Sequence, residues 1–369
     1  MSGKEKQASN GFPHINGYDY IELYTGNAKQ GAHFFHTSLG FRATAYAGLE
    51  TGNRDRSSIV MRQGDIHLIL TAPLTPESEV AKHVMRHGDG VKDIAFSVDD
   101  AHDAFETAVR RGAKPVLEPE RFEDDWGAIT KATIAAYGST VHSFIQREGE
   151  CKTFLPGYRT VSGESPDFSS RLSAIDHLAI GLEPGGVDEW VEFYQETMGF
   201  FQSHKEDVAT EYSAMRSKVV QSESGAVVFP MMEPAPGRRK SQIEEYLSFN
   251  RGPGVQHLAL ASDDIIHSVR TLRARDIGFL QTPEGYYETL QDRVGPIGKD
   301  FAALCELGIL VDRDPHGVLM QVFTEPMQTR PTLFLEIIQR SGARGFGGGN
   351  IKALFEAVER EQSRRGAYA

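Results

Sequence analysis

The chain has 369 residues, 40% of them hydrophobic and 24% charged, a balance that suits a folded enzyme and excludes a disordered chain. At roughly 150 residues per domain this length predicts two domains. The net charge of −12 argues against binding to nucleic acid or an anionic membrane surface, both of which call for a basic stripe. Two cysteines, Cys151 and Cys305, are too few for a disulfide framework.

The start, Met1 to Asn10, is polar and carries no secretory signal, and no apolar run reaches the length of a transmembrane helix; a reducing, cytoplasmic setting is expected. Gly17–Leu23 reads as a strand, Ala28–Leu39 as a helix stopped by Gly40-Phe41. Gly90–Phe96 is a second strand, after which Asp99-Asp100 open a helix to Arg111. The pattern then repeats. Ala174–Ile180 leads into a helix over Val187–Met198 that stops at Gly199-Phe200. Gly254–Leu260 leads through Asp263-Asp264 into a helix to Arg275. One unit is thus written four times, giving an N-terminal domain over 14–155, a Gly/Ser/Pro-rich linker over 156–172 and a C-terminal domain over 173–369. Each unit supplies one helix and several strands, so the fold class is α+β with curved mixed sheets. A last helix is expected over Ile351–Arg364, with Leu354, Phe355 and Val358 on one face and Asn350 as its N-cap.

Laying one half over the other locates the asymmetry. His177 falls opposite Tyr20, His257 opposite Asp93 and Glu336 opposite Ser143. Strand alternation puts Ile175, His177 and Ala179 on one face, and Val255, His257 and Ala259 on another. Glu336 interrupts the apolar run Leu333–Ile338, where a carboxylate needs a partner or a cation. Singly, each histidine reads as a packing residue and Glu336 as the partner of an arginine. Jointly, two imidazoles and one carboxylate form the ligand set of a non-haem Fe(II) site, although Zn²⁺ and Mn²⁺ suit these ligands nearly as well. His14, His33, His36, His83, His87 and His102 read as solvated, and His142 as structural. The first half has no comparable ligand set and is expected to carry no metal.

Polar candidates surround the triad: Gln256 beside His257, Gln321 in an apolar strand, Gln242 in the helix from Ser241, and Ser217 in a strand with Val219. Phe323 and Phe334 could sandwich an aromatic ring. The glycine-rich run Gly345–Asn350, which holds Phe346, introduces the last helix and reads as the hinge of a lid.

These residues resemble the 4-hydroxyphenylpyruvate dioxygenase family of the vicinal-oxygen-chelate superfamily, over about Ile15 to Gly366. The resemblance is carried by Ala209–Ser213, Lys240–Ile243, Gly254–His257, Thr282–Tyr287, Phe334–Arg340 and Gly345–Asn350 followed by Lys352–Ala357. It implies a vicinal-oxygen-chelate fold of four βαβββ-type units paired into two open barrels. It also implies one Fe(II) per chain on His177, His257 and Glu336, and a homodimer or homotetramer. The substrate 4-hydroxyphenylpyruvate would react with O₂ to give homogentisate and CO₂. Ser217, Gln242, Gln256, Gln321, Phe323, Phe334, Asn350 and Phe355 would surround it. Two positions depart from the family pattern: Met232 replaces an amide in Pro230–Pro234, and Ile351 replaces a phenylalanine. Both resemble the sister enzyme 4-hydroxymandelate synthase, which hydroxylates the benzylic carbon of the same substrate. Pro230 and Phe355 look like the dioxygenase. A binding or resistance protein of the same superfamily is the remaining alternative.

Overall fold

The computed structural model describes residues 11–149, 151–210, 212–283, 285–297 and 300–364. The polar start 1–10, the residues Glu211 and Glu284 of two family-like motifs, and the end of the chain after Arg364 lie outside them.

One sheet contains β1 (Ile15–Tyr24), β2 (Arg42–Ala47), β3 (Arg56–Gln63), β4 (Ile66–Pro73), β5 (Gly90–Val98), β6 (Pro115–Asp124), β7 (Gly127–Ala135), β8 (Val141–Glu148) and β9 (Arg159–Thr160). The other contains β10 (Leu172–Gly181), β11 (Phe201–Ala209), β12 (Ala214–Gln221), β13 (Val228–Ala235), β14 (Gly254–Ser262), β15 (Leu310–Asp314), β16 (Gly317–Phe323) and β17 (Phe334–Ser341). Their spatial orders are β9-β2-β3-β4-β1-β5-β8-β7-β6 and β11-β12-β13-β10-β14-β17-β16-β15. Apart from β9 the two orders coincide, with β10 in the place of β1, β14 in that of β5 and β17 in that of β8. The helices Ala28–Thr37, Ala101–Arg110, Gly186–Met198 and Ile265–Arg273 occupy equivalent places, so the α+β reading and the fourfold repeat of a βαβββ unit both hold. Local signals repeat too. The side chains of Asp100 and Asp264 each cap a helix by accepting the backbone N–H three residues on.

Strand alternation divides each sheet into two faces. Ile21, Leu23, Ile94, Phe96, Leu178, Ile180, Leu258, Leu260, Leu335 and Ile337 enter one large core that continues across both halves. His142 of β8 bonds Tyr194 at 2.7 Å and stacks on Phe229, joining the halves. The opposite face of the first sheet is filled by Tyr20, Val60, Ile69, Ala95, Ile129, Ile145 and Leu155. On the second sheet that face holds His177, His257 and Glu336.

Four expectations change. Within the segment 156–172, Arg159–Thr160 pair with β2, so part of the linker is an edge of the first sheet. His87 is buried, with Nδ1 2.5 Å from the Asn250 carbonyl, and His83 packs on it and on Tyr24, because their helix Glu79–His87 lies between the halves. The last helix starts at Gly348, and Asn350 lies within its first turn. The cap there is Asp312 of β15, whose carboxylate accepts the Gly349 N–H, while the Gly347 carbonyl takes the N–H groups of Asn350 and Ile351. Finally, Val255 belongs to the large core and Ile175 packs against it, so neither shares the face of its histidine. Breaks in strand register explain this, as the site shows.

Candidate metal centre

The strands β10 and β14 pair antiparallel, and their register slips by one residue at three places, two of them beside the histidines. At those two the extra residues are Asp176, between Ile175 and His177, and Gln256, between Val255 and His257. Such bulges re-aim the next side chain. Here each bulged residue also holds the histidine it precedes: Asp176 Oδ1 is 2.7 Å from His177 Nδ1, and Gln256 Oε1 is 3.2 Å from His257 Nδ1. Both imidazoles then present Nε2 to the third strand, where each lies 3.3 Å from Glu336 Oε2. All three residues are buried, and their ligand atoms lie within 4.8 Å of one another. No other such His/Cys/Asp/Glu cluster occurs among the described residues.

Electrostatics favour a cation at this point. Burial pushes the Glu336 carboxyl up, but His177 and His257 outweigh it and hold the pKa at about 2. Burial pushes His177 down, but Glu336 and Asp176 outweigh it and raise the pKa to about 9. His257 is lowered, chiefly by burial. The triad without metal thus keeps an ionised carboxylate beside a protonated imidazole, and a divalent cation can take the place of that proton. Glu336 Oε1 is buried with no hydrogen-bond partner among the described residues. A free acceptor beside two imidazoles is the arrangement that a metal ion satisfies.

The triad opens on an apolar cavity. Of the residues singled out from the sequence, Ser217, Met232, Gln242, Gln321, Phe323, Phe346 and Ile351 line it with His177, His257 and Glu336. Four others do not. Gln256 orients His257, as above. Phe334 stacks on His257 with centroids 4.9 Å apart, and it meets Phe323 edge-on at 78°, so the pair makes no parallel sandwich. Phe355 is fully buried in the cluster behind Met232. Asn350 Oδ1 accepts the Tyr286 hydroxyl at 2.5 Å, which turns this amide toward the last helix's own support. The structure adds His204, Glu206, Met215, Val219, Pro230 and Leu354 to the wall. Alternation could have found several of them: 204 and 206 share a strand face, as do 215, 217 and 219, while Leu354 lies one helical turn after Ile351. Asp176 and its partner Arg340 also escaped the sequence reading, although Asp19 and Arg147 repeat them in the first half.

Two curled sheets of this topology, the second carrying a buried triad of metal-ligand chemistry, define the class: a vicinal-oxygen-chelate fold with a candidate metal site. Residues 11–155 match the family described as hydroxyphenylpyruvate dioxygenase, N-terminal, and residues 174–322 match the glyoxalase/bleomycin resistance protein/dioxygenase superfamily. The chain is 42% identical to a 4-hydroxyphenylpyruvate dioxygenase of Aspergillus fumigatus, over 98% of this chain and 96% of that protein. It is also 42% identical to that of Dictyostelium discoideum, over 95% and 100%. A triple mutant of 4-hydroxymandelate synthase from Streptomyces coelicolor superposes with a TM-score of 0.86 at 37% identity, covering 95% of this chain and 100% of that one. The chain belongs to the 4-hydroxyphenylpyruvate dioxygenase family, and the reading as a sequestering protein gives way to that of an enzyme. No helix among the described residues is long and apolar enough to cross a membrane.

Proposed function

We propose that this enzyme binds one Fe(II) per chain on His177, His257 and Glu336 and converts 4-hydroxyphenylpyruvate and O₂ to homogentisate and CO₂. The observation that carries the reading is a buried two-histidine, one-carboxylate triad opening on a largely apolar cavity with few polar groups. Iron, when bound, supplies the chelating point for the 2-oxo acid and the activation of O₂. The chain does the rest. Asp176 and Gln256 fix the two imidazoles, and Phe334 supports His257 from behind. Ser217, Gln242 and Gln321 are polar points in the wall, with His204 and Glu206 at the same cavity. Gln242 Oε1 is buried without a partner among the described residues, which makes it the acceptor for a substrate hydroxyl. Phe346, Ile351 and Leu354 close the cavity from the last helix and its approach, excluding water. In this division 14–155 is scaffold, 156–172 the connection and 173–369 the catalytic half. The enzyme is proposed to work in the cytoplasm as a homodimer or homotetramer, for which exposed Met85, Val116 and Trp126 offer apolar surface.

A second reading rests on Met232 and Ile351, which both line the cavity: benzylic hydroxylation to 4-hydroxymandelate. Product analysis of the purified enzyme with 4-hydroxyphenylpyruvate, Fe(II) and O₂ tests both. Homogentisate supports the first reading, 4-hydroxymandelate the second, and no product with iron bound removes both.

A further inference from the structure

Arg340, at the end of β17, is not one of the metal-ligand triad and does not itself line the cavity, yet it joins the partner of one triad residue to a residue of the cavity wall. Its Nε and Nη2 donate to Asp176 Oδ2 and Oδ1 at 2.7 and 2.8 Å, the paired geometry that holds a carboxylate most firmly. Asp176 in turn holds His177 Nδ1. The remaining nitrogen, Nη1, donates to the Gly345 carbonyl at 2.6 Å, and the guanidinium lies over the Phe346 ring at 5.2 Å. Phe346 meets His177 edge-on, with centroids 5.2 Å apart. One planar cation therefore bridges the partner of a metal ligand and the segment that closes the cavity.

The first half contains the same clamp. Arg147 donates to Asp19 through Nε and Nη2 at 2.9 and 2.6 Å, to the Phe154 carbonyl through Nη1 at 2.6 Å, and lies over the Phe154 ring at 5.1 Å. Phe154 meets Tyr20, the counterpart of His177, edge-on. There the clamp fixes a strap over an interior already filled with side chains. In the second half the strap is rich in glycine and the interior is open.

We propose that Arg340 is a positioning residue that couples metal occupancy to closure of the 343–350 segment, through Asp176 on one side and Gly345 and Phe346 on the other. The inference rests on the metal reading above. A metal held by His177 would fix the orientation of the imidazole and with it the Nδ1–H···Asp176 hydrogen bond, which would steady the carboxylate and with it the guanidinium. By linkage, a closed segment must then strengthen metal binding by the same factor that metal strengthens closure.

Co(II), a redox-stable probe with a visible absorption band, measures both sides. In the wild type, Co(II) is expected to slow amide hydrogen exchange across 343–350. In Arg340→Met the Co(II) Kd should weaken by about 10–100-fold, the range for lost outer partners of metal ligands, and the metal-dependent slowing should vanish. Arg340→Lys, which keeps charge but not the fork, should fall between. Arg147→Met is the control for lost clamp stability and should leave the Co(II) Kd within about twofold of wild type, well short of that range. A wild type that binds no Co(II) defeats the metal reading and this inference together. Binding without slowed exchange defeats the inference alone, even if Arg340→Met fails to fold. So does an Arg340→Met protein with wild-type affinity, or an Arg147→Met protein weakened as much.

Discussion

The Lys131 ammonium lies 3.2 Å from Asp93 Oδ2, inside the first half. It also lies 2.8 Å from the Tyr20 hydroxyl, and Asp93 Oδ2 accepts from Ser143 at 2.7 Å. Tyr20, Asp93 and Ser143 are the counterparts of His177, His257 and Glu336, so a lysine cation stands where the second half gathers metal ligands. Even the bulges are retained, with Asp19 before Tyr20 and Lys92 before Asp93. Burial pushes Lys131 down, but Asp93 and Glu22 outweigh it and keep it charged. The first half should therefore bind no metal. Lys131→Met should destabilise the protein by about 3–5 kcal/mol, the usual effect of stranding one member of a buried pair, read as a lower urea midpoint. A second metal ion per chain, lost on changing Asp93, would contradict this account.

Within the triad, His177→Ala, His257→Ala and Glu336→Ala should each abolish turnover and stoichiometric iron binding while the circular dichroism spectrum stays native. Chelation of the wild type should remove activity, and Fe(II) should restore it. Stoichiometric iron and normal turnover in Glu336→Ala would refute the assignment.

The repeats make the architecture legible because every unit is built from similar local signals: a strand, an asparagine, aspartate or glycine at the helix start, and a glycine after the helix. The triad was legible because it breaks the repeat at three matched positions. What the sequence does not display is non-local. The bulges at Asp176 and Gln256 add one residue to a ladder, which no periodicity of a single strand reveals. For the same reason strict alternation puts Val255 on the histidine's face, whereas the bulge turns it into the large core. Asn350 has the chemistry of a helix cap, but Asp312, distant in sequence, takes that role and moves the helix start back. Likewise, Phe334 faces an imidazole because β17 runs parallel to β14 with Phe334 beside His257, a pairing that aromatic character alone cannot show.

The contact between the halves should make stability depend on pH. His142 is fully buried against Tyr194 and Phe229, and burial lowers its pKa to about 4. An unfolded histidine titrates near 6.5, so between pH 6.5 and 4 the unfolded chain takes up a proton that the folded chain refuses. This contribution is fully present above pH 6.5 and shrinks as pH falls toward 4, by an amount on the order of 3 kcal/mol for such a shift. Urea unfolding across this window should show it, and His142→Phe should flatten the slope. An unchanged slope in that variant would place the pH dependence elsewhere.

Removing the chain from Gly345 onward should lower product formed per O₂ consumed more than it lowers O₂ uptake itself. The deletion takes Phe346, Ile351 and Leu354 from the cavity wall and removes Phe355 from its apolar cluster with Met215, Met232 and Ile243, so water reaches the reacting centre. Parallel oxygen-electrode and product measurements decide it. Unchanged coupling would make the tail a structural element only.

Met232 and Ile351 bear most directly on the product. Met232 faces the cavity from β13, opposite Ser217 of β12 in the strand register, and Ile351 faces it from the last helix. Both belong to one apolar cluster with Ala179, Met215 and Phe355, so their effects should be coupled rather than additive. An amide at position 232 would offer hydrogen bonds that a thioether cannot make, and a phenyl ring at 351 would fill space beside the substrate ring. The double variant Met232→Asn with Ile351→Phe should therefore shift any 4-hydroxymandelate toward homogentisate and never the reverse. A change of about 1 Å in how the substrate is presented is enough to redirect such a partition. The wild type is expected to make homogentisate, because Phe323 in the wall, Phe334 behind His257 and Phe355 behind Met232 already form a stiff aromatic frame. Chromatographic ratios of the two products for the wild type, both single variants and the double variant provide the test. A wild type yielding mostly 4-hydroxymandelate reverses the ranking of the two readings, and a double variant with an unchanged mixed ratio shows that these two side chains do not steer the oxygen.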